Sequence, residues 1–248
     1  MPETIRPRLD PRLAMGLAAT EYQRVISTLE QLSPADWGQP TDCPGWDVRA
    51  MAGHMLGMAE YAASPAQQVR QTVISARRAD RDHIEEIDAL TALQVQDHAG
   101  LNTAGLVERF RTVAPRAVRG RSRIPQFLQS RVTLTQESDG VRERWTLAYL
   151  FGSILTRDPF MHRIDIARAT GVQVPATAGH EGVIVADVVA EWAARHGQPY
   201  ELDLTGAAGG HWAEGHGGEH LEMEATEFCR LLSGRGEGTG LMACHVPF

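Results

Sequence analysis

The residues best placed to do chemistry lie in ILTRDPFMHRIDIARATG, residues 154–171. Apolar residues recur there at helical spacing, and with a step of about 100° per residue Leu147, Leu150, Phe151, Ile154 and Leu155 form one stripe. On the same step Asp158, His162 and Asp165 fall inside that stripe. Burying an unpaired carboxylate costs several kcal/mol, so something must compensate these groups. Asp158 and His162 are four residues apart and point at one location. A divalent metal answers the problem, since carboxylate oxygen and imidazole nitrogen are zinc ligands. An ion-pair network answers it too, with Asp158 and His162 pairing with each other or with Arg157 or Arg163 across an interface. Spacing alone leaves both readings open.

Two ligands are too few for a metal. A candidate third is His54, in the predicted helix from about Val48 to Ala63, at the border of the face formed by Met51, Ala52, Met55 and Ala59. Its neighbours Ala50, Gly53 and Gly57 are small and would let another helix or a ligand come close. Two histidines and one carboxylate leave a fourth position open, the pattern of catalytic rather than structural zinc. Pro159 removes one helix hydrogen bond, and a kink there would reorient the Asp158 carboxylate.

Other candidates each carry two readings. Asp165 is either the group that orients a ligand His or Arg, or a buried cap or ion pair. Cys43 is a catalytic thiol or a small packing residue. Trp46 is a core anchor or a stacking platform, and Met51, Met55 and Met58 read as core. His211, His216 and His220 surround a glycine-rich loop and form either a second metal site or a solvated loop.

These groups need a scaffold. A helix is expected from about Pro11 to Leu32, with Leu13, Leu17, Val25, Ile26, Leu29 and Leu32 on one face. TDCPGWD (41–47) is turn chemistry, with Asp47 as the cap of the His54 helix. A polar helical region covers 65–98. A further helix starts near Asn102, which Pro115 is expected to end or kink, and Pro125 marks another bend. The alternating segment 132–145, with a turn signal at Ser138-Asp139-Gly140, reads as a short hairpin or extended loop. The Asp158–His162 helix is expected from Trp145 to a glycine stop at Gly171. Four long helices with crossing connections suggest a bundle. VQVPATA reads as a linker, followed by a helix over 178–196, strand-like runs at 200–206, 220–225 and 241–248, and the short helix TEFCRLL. The domains expected are 1–172 and 176–248.

Composition bounds the function. At 248 residues and a formal charge of −7 there is no nucleic-acid footprint. All 24 basic residues are arginine, and five of them crowd between Arg111 and Arg123, where a solvated helix end or loop is expected. No apolar run of 18 residues is present, so no membrane partner is expected, and MPETIRPRLDPRLAMG lacks the apolar core of a secretory signal. Three cysteines without a CxxC pair fit a reducing cytoplasm.

TDCPGWDVRAMAGHMLGMAEY, followed much later by TRDPFMHRIDIARATG, resembles the mycothiol-dependent maleylpyruvate isomerase family. The shared marks are a CPGW turn leading into a helix with a histidine, and an acid-x-x-x-His-Arg-x-Asp segment on the last bundle helix. The resemblance implies a mainly α fold, a DinB-like four-helix metal-binding bundle followed by a small α+β C-terminal domain akin to sterol-carrier-protein folds. By motif it implies His54, Asp158 and His162 as ligands of a divalent metal, zinc being the expected one. The family more often has Glu where this chain has Asp158, one methylene shorter. It also implies a catalytic arginine, best matched by Arg235 in LLSGR. A dianionic substrate needs a cationic clamp, for which Arg144 and Arg163 are alternatives to Arg235, each with an ordinary surface or supporting role as its other reading. The activity implied is isomerisation of a cis-unsaturated dicarboxylate by the thiol mycothiol: thiolate addition, rotation about the resulting single bond, and elimination. Two alternatives stand beside it. One is a mycothiol S-transferase acting on small-molecule electrophiles in detoxification. The other is a non-enzymatic small-molecule binding protein with a vestigial metal site.

Overall fold

Asp10 accepts hydrogen bonds from the backbone N–H groups of Arg12 and Leu13, and so starts α1, Pro11–Glu30. The structure, a computed structural model, describes residues 4–138 and 141–248. A two-residue strand, β1 (Thr4–Ile5), precedes α1, and α2 (Val48–Ala63) follows the CPGW turn. The polar region that reads as one helical stretch divides into α3 (Pro65–Asp82) and α4 (Glu86–His98). The break falls at His83, which adopts a left-handed conformation with φ 53°.

Next come α5 (Thr103–Ser122) and the short α6 (Gln126–Arg131). Pro115 does not end α5, which runs on to Ser122: it sits on the exposed side of the helix, where water can satisfy the carbonyl it leaves without a donor. The segment after α6 is a hairpin, β2 (Thr133–Ser138) and β3 (Val141–Thr146), in antiparallel register with Leu134 opposite Trp145. The predicted turn residues Asp139 and Gly140 lie outside the described residues. β1 adds to the far edge of β3 in parallel, giving the order β1-β3-β2.

The helix expected from Trp145 to Gly171 is not continuous. Trp145 belongs to β3, α7 is a single turn (Leu147–Tyr149), and Leu150–Ile154 form a π-helical turn before α8 (Leu155–Thr170). Gly171 ends α8 with φ 76°, as the sequence predicts. The wide turn frees backbone carbonyls, and Arg121 takes them: Nε donates to the Phe151 carbonyl at 2.6 Å and Nη1 to the Leu155 carbonyl at 3.0 Å. Leu155 is the residue whose intrahelical donor Pro159 lacks. Arg121 is therefore one of the most buried side chains in the protein, not part of a solvated arginine cluster.

α1, α5, α2 and α8 close into a ring, each packed on the next, with α3 and α4 against the outside of α2. The ring encloses Tyr22, Leu29, Met51, Met55, Phe110 and Leu155. α8 is apolar on more than one side because it serves two cores. Leu155 and Ile166 face the ring, while Phe160, Met161 and Ile164 join a second cluster with Trp192, Leu202 and Phe228. From Leu155 to Ile166 only Asp158 keeps partial exposure.

The second cluster belongs to the C-terminal part: α9 (Glu181–His196), β4 (Tyr200–Thr205), β5 (Gly210–Glu214), β6 (Glu219–Glu224) and α10 (Ala225–Leu232). β4 is central, antiparallel to β5 and parallel to β6. β5 occupies what reads as a glycine- and histidine-rich loop. The expected final strand 241–248 is instead a 3₁₀ turn, Gly240–Ala243, and an extended tail. The fold is mainly α, a helical bundle carrying a small α+β part. Among the described residues no helix is long and apolar enough to cross a membrane.

Candidate metal centre

α2 is started by Asp47, whose side chain accepts the Ala50 N–H at 2.7 Å, and this fixes His54 near the middle of the helix. Across the ring, α8 presents Asp158 and His162 one turn apart. The three side chains meet. Nε2 of His54 lies 3.2 Å from Oδ1 of Asp158, and Nε2 of His162 lies 3.4 Å from the same oxygen. The imidazoles stand edge-on with ring centroids 5.1 Å apart. One ligand atom from each residue fits within 4.8 Å of the others. Zinc bonds of about 2.0–2.1 Å in a tetrahedron put neighbouring ligand atoms about 3.3 Å apart, so the three groups fit such an ion with little movement.

The remaining nitrogens are held from behind. Nδ1 of His54 is 2.7 Å from Oε1 of Gln94, an acceptor only, so Nδ1 carries a proton and Nε2 is the nitrogen turned to the site. Gln94 in turn donates to Oε1 of Gln71 at 2.9 Å, and Gln71 donates to the Gly57 carbonyl at 3.1 Å. Gly57 is required for this approach: a Cβ there would lie 2.6 Å from both Cβ and Cγ of Gln94. The small residues beside His54 thus admit a helix, α4, and not only a ligand. Neither Gln94 nor Gln71 stands out in the sequence, because the polar stretch 65–98 gives no register. The glycines of α2 are the signal that some element must approach.

Nδ1 of His162 lies 3.2 Å from Oδ2 of Asp165, which is fully buried. Asp165 therefore orients His162, and it also holds Arg235, whose Nη2 is 2.7 Å away. Arg235 comes from the loop after α10 and reaches the edge of the site, with Nη2 3.3 Å from Nδ1 of His162 and 3.7 Å from Sγ of Cys43. Arg230 lies 3.7 Å from Asp165 as well. Trp46 leans on both imidazoles, with centroids 4.9 Å from His54 and 5.9 Å from His162.

Electrostatics follow the geometry. Burial opposes ionisation of Asp158, but the two adjacent imidazoles outweigh it and hold its carboxyl far below the usual carboxylate range. Burial likewise disfavours a charged His162, and Asp158 outweighs it and raises the pKa well above the ordinary histidine value. The cluster is built to concentrate negative charge against two imidazoles.

The ion pairs that sequence spacing allows between the site and Arg157 or Arg163 are not made. Arg157 is buried with Asp187 at 2.6 Å and Glu191 at 2.8 Å. Arg163 is buried with Glu21 at 2.7 Å and Glu181 at 2.8 Å, which removes it as a cation for the site. Arg144 hydrogen-bonds Thr133 across the hairpin, on the face opposite Trp145. His211 and His220 flank Asp203 at 2.8 and 2.9 Å on the exposed face of the second sheet, and His216 lies in the turn between β5 and β6.

The centre opens at Asp158, whose side chain is 15% exposed, into a cavity of about 750 Å³. Cys43, Trp46, Met58 and Arg235 line it near the centre. Its outer wall comes from α4, the β2–β3 hairpin and the C-terminal tail. Met58 is thus half in the cavity wall, while Met51 and Met55 are core.

The same fold occurs in solved structures. A crystal structure of a mycothiol-dependent maleylpyruvate isomerase superposes with a TM-score of 0.55 at 15% identity, covering 92% of this chain and 90% of that one. A structure of a histidine-to-alanine mutant bearing the same enzyme name gives 0.51 at 15% identity over the same shares. No curated protein sequence matches the chain. A family model described as the mycothiol maleylpyruvate isomerase N-terminal domain matches residues 18–167, which take in α2, α5 and all three residues of the centre. The chain therefore belongs to the mycothiol maleylpyruvate isomerase N-terminal domain family.

Proposed function

We propose that this protein is a metal-dependent enzyme that uses mycothiol, in the manner of maleylpyruvate isomerase, to attack an unsaturated electrophile. The observation that carries this reading is the convergence of His54 Nε2, Asp158 Oδ1 and His162 Nε2 at the floor of an open cavity. Family membership and the names of the superposable structures support it. In this reading His54, Asp158 and His162 hold a divalent ion, for which zinc suits the donor set. Such an ion, when bound, supplies a coordination position that keeps a thiol deprotonated at neutral pH.

The chain's own residues do the rest. Gln94 and Asp165 keep the protons of His54 and His162 on Nδ1, so that both Nε2 atoms remain donors of electron pairs. Trp46 covers the two imidazoles and limits water at the centre. Arg235 is fixed by Asp165 through Nε and Nη2, and donates from its cavity side to the carbonyl oxygen that gains charge as the carbon–sulfur bond forms. Glu85, Asp88 and Thr91 at the outer rim suit the hydroxyl groups of a sugar-bearing thiol. The three free cysteines fit a reducing cytoplasm as the place of action.

Metal analysis of purified wild type and His54→Ala, with a mycothiol-dependent isomerisation assay, tests the proposal. One metal per wild-type chain, lost with activity in the variant, is expected. Conjugation without isomerisation would replace isomerase by S-transferase. No metal and no effect of the substitution would leave a binding protein.

A further inference from the structure

We infer that the electrophile this site accepts is a neutral, largely apolar α,β-unsaturated carbonyl compound rather than a dicarboxylate. The inference rests on the thiol-activating reading of the metal centre and names its substrate class.

The charge of the cavity carries the argument. The chain has no lysine, and among the described residues lining the cavity Arg235 is the one guanidinium. Its charge is already met by Asp165, fully buried at 2.7 Å. The imidazoles of His54 and His162 face Asp158, and His245 on the cavity wall has a partner of its own. Arg144 and Arg163, the other cations a sequence reading offers, bond elsewhere. With a divalent ion and a thiolate in place, Asp158, Asp165 and Arg235 leave the centre neutral. Glu85 and Asp88 then add negative charge at the mouth. A dianion entering here finds no unpaired cation, and the cost of stripping its carboxylates of water stands uncompensated.

Much of the remaining wall is apolar, with Gln136 the polar residue that the hairpin adds. The hairpin supplies Leu134 and Trp145, the π-helical turn Leu150 and Ile154, and the tail Val246 and Phe248. These come from three separate segments, and they offer a hydrocarbon or aromatic substituent an apolar surface in the same cavity as His54, Asp158 and His162. In the step this permits, sulfur bonds to the β-carbon, the alkene π pair becomes the bond between the α-carbon and the carbonyl carbon, and the carbonyl π pair moves onto the oxygen beside Arg235. Rotation about the new single bond and elimination of the thiolate then return the alkene, whereas protonation of the α-carbon by the proton the thiol lost leaves the S–H adduct, and neither outcome needs an oxidant or reductant.

The test compares benzylideneacetone with maleylpyruvate. By calorimetry on chelator-treated protein, benzylideneacetone is expected to bind about tenfold tighter or more. With metal and mycothiol restored, it is expected to be the better substrate by a similar factor. Phe248→Ala should weaken its binding by roughly tenfold. Leu134→Arg, which adds a cation to the wall, should narrow or reverse the preference. Equal or tighter binding of maleylpyruvate by the wild type would overturn the inference. If neither compound reacts with mycothiol but the binding preference holds, the thiol-activating reading falls and the apolar preference stands.

Discussion

Oε1 of Gln94 lies 2.7 Å from Nδ1 of His54, from a helix that contributes nothing else to the donor set. That contact decides which nitrogen of His54 faces Asp158. Replacing Gln94 by Leu removes the acceptor without charging the site. The expected result is a metal affinity lower by about 10–100-fold with the fold intact, measured by competition with a chelator. Unchanged affinity would show that the tautomer is fixed by the metal alone.

Gly57 sets how close Gln94 can come. In Gly57→Ala the new Cβ meets Cβ and Cγ of Gln94 at 2.6 Å, and both helices must shift. A loss of about 1–3 kcal/mol in denaturant unfolding is expected, with metal affinity falling alongside it. Gly53→Ala is the control. Its Cβ finds its nearest neighbour, the His98 side chain, at 3.5 Å, which is ordinary contact. The control should cost little in either measurement.

The difference between these glycines shows what the sequence could and could not convey. The cap at Asp47, the stop at Gly171 and the polar residues inside an apolar stripe are local signals, and the structure places them as read. His54 meets Asp158 and His162 because two periodic helices each mark their inner face. What failed was non-local. β5 has little strand propensity of its own, and it exists because β4 offers backbone partners from Tyr200 to Leu204. The π-helical turn is invisible to a wheel drawn at a constant step, and it is tolerated because Arg121, some thirty residues away, bonds the carbonyls of Phe151 and Leu155. Gln94 could not be assigned a role because the charged stretch before it has no apolar register to say which side faces α2.

His98, one turn after Gln94, ties α4 to α2 in a pH-dependent way. Its Nε2 is 3.4 Å from Glu60, which also pairs with Arg109 at 2.7 Å. Burial disfavours charge on both partners, yet their mutual contact outweighs it, raising the pKa of His98 and lowering that of Glu60. A raised histidine contributes stability in full below its unfolded value, about 6.5, and loses it as pH rises through the folded value. A lowered carboxylate contributes above about 4.3 and loses its share as pH falls. The stability gap between wild type and His98→Gln should therefore be widest between about pH 4.3 and 6.5, and should narrow on either side. Thermal unfolding of both proteins across that range checks it, and a flat gap would show that the two groups are not coupled.

Arg157 precedes the candidate ligand Asp158 but points the opposite way, into α9. It is fully buried between Asp187 at 2.6 Å and Glu191 at 2.8 Å. Arg157→Leu strands a buried carboxylate at Asp187, whereas Glu191 keeps Arg195 and Tyr149. Breaking such a pair from one side costs about 3–5 kcal/mol, and a loss of that size in urea unfolding is expected. Adding Asp187→Asn removes the stranded charge and should recover a large part of the loss, which a simple deficit of packing would not allow. Metal affinity measured on the double variant should stay near wild type, since neither residue touches His54, Asp158 or His162. A fall there would mean that α8 depends on α9 for its register as well as for its docking.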